Sequence, residues 1–95
     1  MLKIKDNVDL KELEKFGFRY NEETCAYTRL VDKNNIIKKQ CFVSVVSKIN
    51  SINIGLIPKV IYLCTPFSIS TFEENSFEYI IDDLIKSGLV EKVDE

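Results

Sequence analysis

The sequence predicts an α+β fold: a small antiparallel β-sheet of three to five strands, with a short N-terminal helix and a longer amphipathic C-terminal helix. Three observations carry this expectation. Helix stop signals, each a glycine followed by an apolar residue, stand at Gly17-Phe18 and Gly88-Leu89. Between them, runs of β-branched and aromatic residues alternate with short polar turn clusters. Near the end, Phe77, Ile80, Ile81, Leu84 and Ile85 fall at i, i+3, i+4, i+7 and i+8, the spacing of a helix with one apolar face.

The first helix is expected over Leu10 to Phe16. Asp9 suits the N-cap and Glu12 stands three residues later, a D-x-x-E variant of the capping box. Val8 and Leu13 are placed to close a hydrophobic staple. Gly17 suits the left-handed position after the helix, where Phe18 can meet Leu13. Two turns of helix are marginal in water, so packing of Leu10, Leu13 and Phe16 must hold them.

A β-meander follows from Phe18 to Val46. Asn21-Glu22-Glu23-Thr24 is a polar turn between Phe18–Tyr20 and Cys25–Val31. Asp32-Lys33-Asn34-Asn35 is a second turn, before a long strand from Ile36 to Val46. Residues 48–58 scatter five apolar side chains among Asn and Ser, which suits a loop, or a loop with a short edge strand ending at Pro58. Lys59 to Thr65 reads as a strand stopped by Pro66.

Two starts are open for the second helix, since Ser70 with Glu73 and Asn75 with Glu78 both have the spacing of cap and acid. Acids fill its first turns and Lys86 its last, as the helix dipole favours. Leu89 to Val93 is then a short final strand or an extended tail.

A chain of 95 residues fits one domain, 1–95, with no linker or repeat. Its apolar runs are far shorter than the roughly 20 residues of a membrane span. The opening Met1-Leu2-Lys3-Ile4-Lys5-Asp6 has no apolar secretion core. The sequence contains no His and no Trp, which removes His-based nucleophilic catalysis and the commonest zinc ligand from the chain. Gly17, Gly55 and Gly88 are isolated, so there is no phosphate-cradling glycine loop. Cys25, Cys41 and Cys64 are widely spaced and odd in number, as in a reduced, cytoplasmic protein. Cys25, after a polar turn, is the thiol expected to be accessible. No enzyme activity, cofactor or metal is expected.

Net charge is −2 and unevenly spread. Residues 33–72 hold five Lys and no acid, whereas residues 73–95 hold eight acids against two Lys. Glu78, Asp82 and Asp83 share a helix, forming an acidic contact face. The basic centre suggests a weak nucleic-acid surface of Arg19, Tyr20, Arg29, Lys33, Lys38 and Lys39, as an alternative function.

Both faces of the predicted sheet look apolar. Cys41, Val43 and Val45 oppose Phe42 and Val46, and Val60, Tyr62 and Cys64 oppose Ile61 and Leu63. Two helices, one very short, cannot cover both faces. Either the 48–58 segment folds over the second face or another protein does, since large apolar patches mark interaction surfaces. Phe42, Val46, Ile61 and Leu63 are the expected protein interface. The leading expectation is a non-enzymatic module that binds protein, either itself as a homo-oligomer or a host factor.

The segments from Lys5 to Phe18 and from Asp83 to Val93 resemble both ends of small phage and prophage proteins of low-GC Gram-positive bacteria. The likeness covers about a quarter of the chain and consists of helix starts and stops. The excess of Lys over Arg, 11 to 2, and the twelve Ile accord with an AT-rich genome. The resemblance implies a cytoplasmic phage-encoded accessory protein and supplies no catalytic residue; an inhibitor of a host defence system is one special case of the expected protein-binding module.

Overall fold

The computed structural model describes residues 1–31, 41–72 and 77–93. Among the described residues are seven strands: β1 (Leu2–Ile4), β2 (Arg19–Asn21), β3 (Ala26–Leu30), β4 (Phe42–Val46), β5 (Ile61–Cys64), β6 (Ile69–Thr71) and β7 (Val90–Lys92). β2 to β6 form a five-stranded antiparallel meander in chain order, and β1 pairs with β7. The domain is therefore mostly β. The longer C-terminal helix of the sequence reading is absent: Glu78–Ile81 is a 3-10 turn that runs into α1 (Asp82–Lys86), five residues of α-helix.

Two features shorten that helix. Thr65 and Ser68 close a tight turn after Pro66, with Thr65 Oγ1 accepting from the backbone N–H groups of Phe67 and Ser68 at 3.2 and 3.1 Å. The chain thus returns as β6, and Ser70 lies in a strand instead of capping a helix. At the other end Gly88, at φ 76°, stops the helix: Leu89 N–H donates to Leu84 O and Gly88 N–H to Ile85 O, the paired bonds of a Schellman motif. Within what remains, Ile81 and Leu84 are fully buried, while Phe77 and Ile85 are exposed. Asn75, the other proposed cap, lies outside the described residues.

Leu10–Phe16 is helical as expected, but as a 3-10 helix. Asp9 caps it, accepting from Lys11 N–H at 3.0 Å. Gly17, at φ 86°, ends it with the same pair of bonds, Phe18 N–H to Leu13 O and Gly17 N–H to Glu14 O. Seven residues cannot sustain a helix alone. Full burial of Leu13 contributes about 1.5–3 kcal/mol and anchors it.

Both helical pieces pack on one face of the meander, which we call the inner face. There Val43, Val45, Ile61 and Leu63 meet Leu13, Phe18, Tyr27, Phe72, Ile81 and Leu84 in the main core, joined by Ile4 of β1. Arg29 on β3 ties the layers together. Its guanidinium donates to Phe16 O and Ile80 O, both at 2.9 Å, and forms a two-point ion pair with Asp83 on α1. It also lies 4.7 Å above the centre of the Phe18 ring.

Segment 48–58 forms no strand. It is a loop pinned by two asparagines. Buried Asn53 donates to Thr24 O at 2.6 Å and Lys48 O at 2.9 Å, and its Oδ1 accepts from Asn50 N–H at 2.8 Å. Asn50 donates to Glu23 O at 2.9 Å, so the loop is fastened to the β2–β3 turn.

Candidate binding groove on the outer sheet face

The register of the meander sorts its outer face into rows. Arg19, Thr28, Ser44, Tyr62 and Thr71 stand opposite one another from β2 to β6 and make one polar row across all five strands. On one side of it lie Ala26 and Val46; on the other, Leu30, Phe42, Cys64 and Ile69. Adjacent rows are two residues apart along each strand, about 7 Å. The outer face thus reads apolar, polar, apolar along the strand direction.

A groove of about 680 Å³ lies over these rows. Ile52, Asn53 and Leu56 of the pinned loop wall it at the Ala26–Val46 end, and Leu30 and Ile69 flank the far end. Arg19 and Asn21 stand at the β2 edge. This volume falls in the range of ligand-sized clefts. Among the described residues no carboxylate lines the groove, and its charged residues are Arg19 and Arg29. The Arg29 guanidinium is taken by Asp83 on the inner face. Arg19 is exposed and has no ion pair or hydrogen bond through its side chain among the described residues.

Ser44 is 5% exposed, and its hydroxyl has no hydrogen-bond partner among the described residues. The neighbouring Thr28 hydroxyl is likewise without one. Tyr62, next in the row, is occupied: its hydroxyl accepts from Ile57 N–H at 2.9 Å. Burial pushes the Cys64 thiol up to about 11, so this groove residue is a neutral apolar surface.

The residues expected at a protein interface divide between the two faces. Phe42 and Val46 do line the groove. Ile61 and Leu63 do not: they are 0% and 6% exposed in the main core, because Ile61 pairs with Val45 and Leu63 with Val43. The second apolar face is partly self-covered, with Met1, Phe42 and Leu56 packed on Val60, Tyr62 and Cys64.

The nucleic-acid set is not brought together either. Arg19 faces outward, whereas Tyr20 pairs with Tyr27 on the inner side, ring centres 5.0 Å apart, and Arg29 is locked in its ion pair. Lys33, Lys38 and Lys39 lie outside the described residues. On the acidic face Asp83 is held by Arg29 and Asp82 pairs with Lys86 at 2.8 Å, which leaves Glu78 as its exposed carboxylate without an ion pair among the described residues. Cys25 is buried, with φ 51°, its Sγ 3.4 Å from the donor Asn50 Nδ2.

Sequence reasoning missed Thr28, Ser44 and Ile52 as groove residues. The one signal for Ser44 was a polar residue interrupting the apolar run Phe42–Val46. Among the described residues no group of three or more His, Cys, Asp or Glu is placed to hold a metal ion, and no helix is long and apolar enough to cross a membrane. Comparison with family models, with curated proteins and with solved structures finds no match to this chain.

Proposed function

We propose that the chain is a non-enzymatic protein-binding module of the cytoplasm, an accessory protein of the phage kind, and that the outer sheet face is its contact surface. The observation that carries this reading is an apolar groove beside a rigidly held loop that displays its side chains to solvent. Ile52 and Ile54 are 64% and 77% exposed, yet Asn50 and Asn53 fix the backbone beneath them. Leu30 and Ile69, 44% and 55% exposed, continue the patch across the groove. Apolar residues presented on an ordered backbone lose little further entropy on docking, which favours their use in recognition.

The test is affinity capture from a nuclease-treated lysate of a low-GC Gram-positive bacterium, comparing the native chain with Ile52→Asp and Glu78→Gln. A stoichiometric protein retained by the native chain and Glu78→Gln, and lost with Ile52→Asp, is the expected result. Retention by Ile52→Asp with loss in Glu78→Gln moves the contact to the acidic helix. Material that disappears with nuclease overturns the reading in favour of nucleic acid.

A further inference from the structure

From the unpartnered groups in the groove we infer the chemistry of the partner: it presents a carboxylate side chain between two apolar side chains, spaced to match the rows of the sheet. This rests on the proposed binding function and specifies its ligand. Ser44, 5% exposed, lines the groove and makes no side-chain hydrogen bond among the described residues, so its hydroxyl is open to a ligand. Thr28 stands beside it in register and adds a second hydroxyl. Arg19, opposite Thr28, ends the row with a cation that has no ion-pair partner among the described residues. Two hydroxyls and a guanidinium stand in one row across β2 to β4, a set that suits an acceptor carrying negative charge; no described carboxylate lines this groove, and Glu22 and Glu23 share an adjoining cleft with Arg19 and Thr28.

The flanking rows fix the rest. Val46 with Ile52 lies on one side of the polar row, and Phe42 with Leu30 on the other. An extended segment running along the strands places alternate side chains about 7 Å apart on one side. Its first and fifth residues then meet the apolar rows while its third meets Arg19, Thr28 and Ser44. The pattern is apolar-x-Asp/Glu-x-apolar.

The experiment is an NMR titration of the full chain with the capped peptide Leu-Thr-Glu-Thr-Leu and its Gln counterpart. Both are repeated on Arg19→Gln and Ser44→Ala. Arg19 is exposed, so its substitution leaves the fold intact, and each variant's spectrum reports folding directly. The Glu peptide is expected to bind the native chain about tenfold more tightly than the Gln peptide, the scale of one charge-assisted hydrogen bond. Arg19→Gln should abolish that preference, so that the two peptides bind the variant equally. Equal binding of the two peptides, a preference that survives Arg19→Gln, or no binding of either overturns the inference. If it fails while capture still depends on Ile52, the binding-module reading stands and only the partner chemistry is wrong. Self-association that blocks the groove and is lost in Arg19→Gln would also overturn it, by making a second copy the occupant.

Discussion

Arg29 and Asp83 are 54 positions apart in the chain and meet in a two-point ion pair, with Nη1 to Oδ2 at 2.6 Å and Nη2 to Oδ1 at 3.1 Å. The same guanidinium satisfies the carbonyl of Phe16, the last residue of the first helical piece, and that of Ile80 within the second. One side chain from β3 therefore fastens the whole helical layer to the inner face.

Replacing Arg29 by Met keeps the stem but leaves the Phe16 and Ile80 carbonyls and the Asp83 carboxylate without their donor. A loss of about 2–4 kcal/mol is expected. Thermal unfolding should report it as a fall of roughly 10–25 °C for a domain of this size. Asp83→Asn, at a half-exposed position, should cost less, about 1 kcal/mol.

The ion pair also predicts a pH dependence. Burial opposes the charge on Asp83, but hydrogen bonding and attraction from Arg29 outweigh it and hold the carboxyl below its ordinary 3.8. The unfolded chain therefore takes up the proton first as pH falls. The stabilisation is complete above about pH 5, declines as pH drops through 3.8, and is gone below the folded-state value. Urea unfolding of the native chain and Asp83→Asn should differ at pH 6, and the difference should shrink as pH is lowered through and below 3.8.

Thiol reactivity separates the cysteines. Cys64, raised to about 11, should have about one thiolate in a thousand at pH 8. Cys41 is half-buried, whereas Cys25 is buried under Asn50. Iodoacetamide at pH 8 should alkylate Cys41 first in the folded chain, with Cys25 and Cys64 following only in urea. Peptide mass mapping identifies the order, and early modification of Cys64 would contradict it.

Asn53 is 6% exposed and holds the groove wall by three hydrogen bonds to backbone groups. Asn53→Ala removes two donors and an acceptor, which should cost about 2–3 kcal/mol, mostly in the loop. Hydrogen exchange should accelerate across 48–57 while the amides of β4 keep their protection. Capture of a partner should weaken with it, since Ile52 loses its fixed position.

What was legible in the sequence was local. Both helix ends depend on a glycine and the apolar residue after it, so Gly17 and Gly88 could be read directly. Asp9 could too. The strand around Val43 and the one around Tyr62 follow from composition and from Pro66. What was not legible needed the register between strands. Ile61 and Leu63 were grouped with Phe42 because alternation shows two faces per strand but not how neighbouring strands align; the pairing of Phe42 with Cys64 settles it the other way. β6 was hidden because Ser70 has the chemistry of a helix cap as well as a place in a strand. The loop from 48 to 58 was ambiguous because its order comes from side chain to backbone bonds of Asn50 and Asn53, which leave no periodic trace. The polar row of the groove exists only once five strands are side by side.

The claim that the outer face is the binding surface is tested most directly by methyl NMR of the chain, labelled at Ile, Leu and Val, as the captured partner is added. Shifts at Ile52, Leu56, Leu30 and Ile69, with the core methyls of Ile4 and Leu84 unmoved, are the predicted result. Shifts confined to Ile80 and Ile85 beside the acidic helix, with the groove methyls still, would contradict it.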